Sequence, residues 1–232
     1  MTAILSNLQA TREAIAQAAR AAHRNVTDVR LLAVSKTFPA AAVREAYRAG
    51  QSAFGENYLQ EALQKIGELR DLPLEWHFIG PIQSNKTRAI AEHFDWVHGV
   101  NRLKIAERLS AQRPVHLPPL NICLQVNVSG EASKSGIEQR DVPQLAQAVA
   151  RLPNLRLRGL MAIPAAESDV TLQRESFAQM HVLFEQLNSK GMMLDTLSMG
   201  MSHDYLSAIR EGATIVRIGT AIFGQRDYGE KK

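Results

Sequence analysis

Leu31-Leu32-Ala33-Val34-Ser35-Lys36-Thr37 is a run of four apolar residues that passes into a serine and a lysine. With Arg30 before it and Pro39 after it, the apolar part reads as a short buried strand. A lysine at the end of such a strand must reach solvent, find a partner or lose its charge. Burial lowers the pKa of a lysine, and a neutral amine can attack a carbonyl to form a Schiff base. Taken alone, Lys36 is more simply the solvent end of a strand. Its meaning therefore depends on what the rest of the chain brings to it.

The same strand-then-helix unit recurs along the chain. An amphipathic helix over 3–22, with Leu5, Leu8, Ile15 and Ala19 on one side, precedes the first strand. Pro39 can open a helix that stops at Gly50, and a strand at 52–55 leads to a helix from Tyr58 to about Leu69. Further strands are expected at 75–79, 95–100, 121–128, 156–163, 196–199 and 214–218, with helices between them. Ser84 and Asn101 are expected as helix caps, and Ser202 as the start of a helix. Eight short strands alternating with helices, without a linker, predict an α/β fold: a single (β/α)8 barrel of the TIM type over 1–232. The length is near the ~250 residues usual for that fold. Little chain follows the last strand, so the extra N-terminal helix is expected to cover the eighth position. A doubly wound open sheet is the structural rival.

Barrel ligands sit at the C-terminal ends of the strands. That edge carries Lys36, then Glu56-Asn57, Ile79-Gly80, Asn127, Met161, Gly200-Met201-Ser202-His203 and Arg217-Ile218-Gly219-Thr220. The loops after the last two strands commonly bind phosphate in this fold. Ser202, Gly219 and Thr220 offer hydroxyls and close backbone amides for an anion, although a cap and a tight turn would account for either group alone. Arg217 lies in an otherwise apolar strand and always needs acceptors. It faces either a ligand in the barrel mouth or a carboxylate in the helix layer. A strand-end lysine, a phosphate cradle and an inward arginine suit pyridoxal 5'-phosphate (PLP), whose aldehyde takes an amine and whose ring nitrogen takes an Asp or Arg partner. An arginine there keeps the ring nitrogen unprotonated and weakens the ring as an electron sink. His77, His98 and His203 match no metal-ligand spacing and are expected to be core or surface histidines.

Several segments resemble the YggS family of PLP homeostasis proteins. They include Ala33-Val34-Ser35-Lys36-Thr37, Phe54-Gly55-Glu56-Asn57-Tyr58, the run from His77 to Lys86, Lys134-Ser135-Gly136, Arg158-Gly159-Leu160-Met161, Ser198-Met199-Gly200-Met201-Ser202 and the run from Arg217 to Gly224. The resemblance spans essentially the whole chain in order. It implies a fold like the barrel domain of alanine racemase (PLP fold type III), with no second domain. It further implies a Schiff base between PLP and Lys36, Arg217 facing the pyridine nitrogen, and Ser202, Gly219 and Thr220 on the phosphate. Asn57 would lie beside the ring, Ile79 and Met201 would line the pocket, and Glu56 would orient Lys36 or face solvent. Lys134, in the small polar loop 129–136, could catch a second PLP or free phosphate.

Two-base racemisation needs an acid/base group on each face of the substrate, and only Tyr58 and Tyr205 offer themselves beside Lys36. The first expectation is therefore a non-catalytic PLP carrier in vitamin B6 and amino-acid homeostasis, with no catalytic residue. Apo forms of PLP-dependent enzymes would be its recipients, and a monomer, or at most a weak dimer, is expected. The second is a PLP-dependent amino-acid racemase of low activity. The third is a lysine Schiff-base lyase acting on a sugar phosphate, which would leave Arg217 without a role.

Composition limits the alternatives. The chain has 232 residues, 45% hydrophobic and 22% charged, with a net charge of +4 and no basic run beyond Lys231-Lys232, so no nucleic-acid footprint. The lone Cys123 cannot form an internal disulfide, and no apolar run approaches the roughly 20 residues needed to span a bilayer. No secretory leader is seen. A cytoplasmic protein without a membrane partner is expected.

Overall fold

A computed structural model of the chain describes residues 2–131, 135–165 and 167–225. Its strands are β1 Arg30–Val34, β2 Ala53–Glu56, β3 Glu75–Phe78, β4 Trp96–Val100, β5 Leu120–Asn127, β6 Ile137–Glu138, β7 Leu155–Ala162, β8 Thr196–Ser198 and β9 Ile215–Ile218. All pairings are parallel, and β1 to β5 followed by β7, β8 and β9 return to β1, so the sheet closes on itself. This is the barrel expected from the sequence, and the closed ring removes the open-sheet rival. The two-residue β6 pairs with the last two residues of β5, Val126 and Asn127, and was not expected. It anchors one end of the 129–136 loop, and Gln125 Nε2 donates to Ser135 O at 3.2 Å. Lys134 lies outside the described residues.

Parallel strands buried on both faces read as nearly unbroken apolar runs, which is why their positions were legible within a residue or so. The helices are α1 Ala3–Ala21, α2 Ala40–Arg48, α3 Leu59–Glu68, α4 Thr87–His93, α5 Leu103–Gln112, α6 Val142–Val149, α7 Val170–Ser189, α8 Tyr205–Arg210 and α9 Thr220–Phe223. α7 buries Phe177, Met180, Phe184 and Leu187, and Asp169 caps it through the amides of Thr171 and Leu172. Three expected helix starts fall elsewhere. Ser84 opens a 3-10 turn ahead of α4, Arg102 rather than Asn101 precedes α5, and a turn carries Ser202 before α8 begins at Tyr205.

α1 takes the expected eighth place. It packs on α2, α8 and α9, and Asn7 Nδ2 donates to Ile222 O at 3.0 Å. Just beyond it, Arg24 Nη1 donates to Ile209 O and Ala213 O, both at 2.8 Å. No helix among the described residues is long and apolar enough to cross a membrane.

The core has two parts. A large cluster lies between strands and helices. Two small clusters line the barrel lumen: Leu32, Ala53 and Ile215 with Ile79, and Trp96, Cys123 and Met161. Cys123 is buried, and burial lifts its thiol to about 12, so it packs as a small apolar group. Alternation along each strand assigns one set of side chains to the lumen and the other to the helix layer. Leu32 and Lys36 thereby share a side, and Ser35 takes the other.

Candidate functional site at the C-terminal mouth of the barrel

A cleft of about 220 Å3 opens at the C-terminal ends of the strands, lined by Lys36, Asn57, Ile79, Met201, Ser202, Arg217, Gly219 and Thr220. These are all eight of the positions singled out from sequence. Val34, Ile163 and His203 also line it. The first two were missed, although the period of two along a strand could have found them: Val34 lies two before Lys36, and Ile163 two after Met161.

Lys36 is half-buried just past the end of β1. The chain around it is held from behind. Glu56 is buried and accepts from Ser35 Oγ at 2.6 Å and Lys65 Nζ at 2.7 Å, while the same ammonium donates to Ser35 O at 2.7 Å and pairs with Glu61 at 2.6 Å. Burial pushes the Glu56 carboxyl above its usual range, against the pull of Lys65 and Ser35. Glu56 therefore faces the helix layer and neither solvent nor the cleft. It fixes the backbone on which Lys36 and Asn57 are mounted.

Arg217 faces inward. Its Nη1 donates to Ser198 O at 2.6 Å and Ser198 Oγ at 2.8 Å, and its Nη2 to Ala162 O at 2.9 Å. Those bonds leave the Nε–H and one Nη2–H unspent on the described residues. Burial lowers its pKa to about 10, so it stays a cation at neutral pH. Asn57 Oδ1 is buried without a hydrogen-bond partner among the described residues, an arrangement that a bound polar group would relieve.

Two close approaches shape the rim. A side chain at Gly219 would come within 2.9 Å of Val34 O, and one at Gly80 within 2.2 Å of Asn57 O. Met201 N donates to Asp204 Oδ1 at 2.6 Å, which folds the 201–204 turn over the cleft edge.

His77 and His98 are not surface groups. They are fully buried in the lumen below the cleft, and no cluster able to hold a metal ion occurs among the described residues. His77 Nδ1 lies 2.9 Å from His98 Nε2, and His98 Nδ1 lies 2.8 Å from Ser198 Oγ. Burial lowers the pKa of both, that of His98 well below the usual value. Both rings are therefore neutral at neutral pH, and the sign of the linkage follows. The unfolded chain takes up a proton at each ring near its ordinary pKa of ~6.5, and the folded chain does so only at lower pH. Stability is full above that value and falls below it, by about 1.4 kcal/mol per pH unit for each ring until the folded pKa is reached. Urea unfolding should give a lower stability near pH 5.5 than at pH 7. Equal stabilities would mean that the rings take up protons in the fold at the same pH as in the unfolded chain.

A closed parallel barrel with a lysine, an inward arginine and an amide-and-hydroxyl turn at its C-terminal mouth belongs to the class of barrels that bind an anionic ligand where an amine can reach it. The chain matches the family described as alanine racemase, N-terminal domain, over residues 6–227. It is 65% identical to the pyridoxal phosphate homeostasis protein of Pseudomonas aeruginosa over 229 residues, 99% of this chain and 98% of that one. It is 55% identical to the protein of that name from Escherichia coli strain K12, over the full length of both. The structure of PipY from Synechococcus elongatus with PLP bound aligns with a TM-score of 0.83 at 38% identity, covering 95% of this chain and 100% of that one. The chain belongs to the YggS family of pyridoxal phosphate homeostasis proteins.

Proposed function

We propose that this protein holds PLP covalently at Lys36 and releases it on demand, so that the free aldehyde stays scarce and vitamin B6 and amino-acid metabolism stay balanced. Residues 1–232 act as one PLP-binding unit in the cytoplasm, and apo PLP-dependent enzymes are its recipients. The observation that carries this reading is the convergence on one cleft of Lys36, Arg217 and an Asn57 oxygen without a partner among the described residues. The names of the two bacterial relatives and the PLP-bound PipY structure support it.

PLP supplies an aldehyde that condenses with a primary amine. The chain supplies everything else. Lys36 offers the amine, and Ser202, Gly219 and Thr220 bind the phosphate. Asn57 lies beside the ring, and Ile79 and Met201 pack against it. Arg217 holds the ring nitrogen unprotonated, because a fixed cation only donates. That choice disfavours chemistry needing a strongly stabilised carbanion and leaves amine exchange unhindered.

Tyr58 and Tyr205, the sequence candidates for a second acid/base group, do not line the cleft. His203 does, and it favours a second reading, a racemase of low activity with His203 opposite Lys36. Added PLP should give the protein a visible absorbance band, and a panel of L-amino acids should then show no conversion by chiral chromatography. Conversion that disappears in His203→Ala would establish the racemase instead.

A further inference from the structure

The lumen below the cleft holds an unbroken polar line. Arg217 Nη1 meets Ser198 Oγ, which meets His98 Nδ1; His98 Nε2 meets His77 Nδ1; His77 Nε2 meets Glu75 Oε1 at 2.5 Å; and Arg30 Nη1 pairs with Glu75 at 2.9 Å. Glu75 and Arg30 are the first residues of β3 and β1, at the opposite end of the barrel from the cleft. Trp96 stacks flat on His77 with centroids 5.3 Å apart and seals its side of the line.

The donors and acceptors fix its direction. A guanidinium can only donate, so Ser198 Oγ accepts from Arg217 and its one proton needs an acceptor. His98 Nδ1, 2.8 Å away, is that acceptor. A neutral imidazole that accepts at Nδ1 carries its proton on Nε2, and that proton points at His77 Nδ1. His77 in turn carries its proton on Nε2 and donates it to the Glu75 carboxylate. Burial alone would raise the Glu75 pKa, but the bonds from His77 and Arg30 outweigh it and leave it at about 2. The opposite direction would set the bare His77 Nε2 lone pair against a carboxylate oxygen.

We infer that Ser198, His98, His77 and Glu75 are positioning residues, a one-directional hydrogen-bonded relay through the barrel that anchors Arg217 at the cleft and holds both imidazoles as Nε2–H tautomers. The relay gives Arg217 a hydroxyl acceptor whose own proton is already committed, so the guanidinium cannot swing away without unpairing a chain of buried groups. Its effect on the ligand rests on the PLP reading above; the relay itself does not.

The test has two arms. The first uses the full chain without PLP. Long-range 15N–1H correlation spectra at neutral pH should show His77 and His98 both neutral, with the proton on Nε2. An Nδ1–H tautomer or an imidazolium at either ring overturns the relay. The second arm uses PLP-loaded protein and two substitutions at one site. His98→Gln can accept from Ser198 through its oxygen and donate to His77 through its nitrogen; His98→Leu can do neither. His98→Leu should weaken PLP retention about tenfold and displace the pH profile of the visible band, with His98→Gln within about twofold of the parent. Ser198→Ala, which removes only the hydroxyl, should follow His98→Leu and serves if the leucine variant does not fold. Equal retention and unchanged pH profiles across these variants overturn the positioning role. A parent that takes up no PLP refutes the PLP reading alone, and the tautomer spectra still decide the relay.

Discussion

Lys65→Met should destabilise the protein by about 3–5 kcal/mol in urea unfolding, the range for removing one partner of a buried ion pair. Lys65 is only 4% exposed, although it sits in a helix. Its ammonium joins Glu56, Glu61 and the carbonyl of Ser35. The substitution fills much of the same volume but strands the Glu56 carboxylate, one oxygen of which already lacks a partner among the described residues. The double variant Glu56→Leu/Lys65→Met should recover most of the loss, because no unpaired charge is then left fully buried. Glu61 loses its ion pair but is partly exposed and still accepts from Thr37 N. A loss below about 1 kcal/mol for the single variant would mean that Glu56 is protonated or reaches water. Because Ser35 and Glu56 precede Lys36 and Asn57, the single variant should also weaken PLP uptake, and the double should restore only part of it.

Gly80→Ala should cost about 1–3 kcal/mol of stability and weaken PLP binding at least about tenfold. The added methyl would lie 2.2 Å from Asn57 O and 2.9 Å from Asn57 C and Cα. These are backbone atoms, so no rotamer change relieves the clash and the end of β2 must move away from the end of β3. Ile79 N donates to Glu56 O at 2.9 Å across that gap, and this bond would stretch. Gly67→Ala in α3 is the control, with nothing within 4 Å of the new methyl; it should be neutral or slightly stabilising, as alanine favours helix over glycine. Parent-like PLP binding in Gly80→Ala would show that Asn57 is not part of the site.

The strands were legible because each is a short apolar run set off by helix-forming segments, whereas closure was decided only by the pairing of β9 with β1. The rim was legible for the same reason, since the chain end of each strand is known once the strand is. Three things were not. Helix starts at Ser84 and Asn101 depended on one-residue differences in backbone geometry that side-chain identity does not settle. The role of Glu56 was left between orienting Lys36 and facing solvent; it is buried away from solvent, and it bears on Lys36 only through the neighbouring Ser35 and Lys65. Its partner Lys65 lies on the inward stripe of α3, three residues after Ala62, a spacing that could have drawn attention to it. The lumen relay was invisible because His98 and Ser198 are 100 residues apart in sequence and meet only when the barrel closes. The reading of His77 and His98 as core or surface histidines left their burial open and did not reveal what they bond.

The central claim is that PLP is held on Lys36, and trapping tests it most directly. Protein loaded with PLP is reduced with borohydride, digested and mapped by mass spectrometry, beside Lys36→Ala treated in the same way. The parent should show a visible band that reduction bleaches and a reduced pyridoxyl adduct on the peptide carrying Lys36, and the variant should show neither. An adduct mapped to another lysine, or a band that survives in Lys36→Ala at parental strength, would contradict the claim.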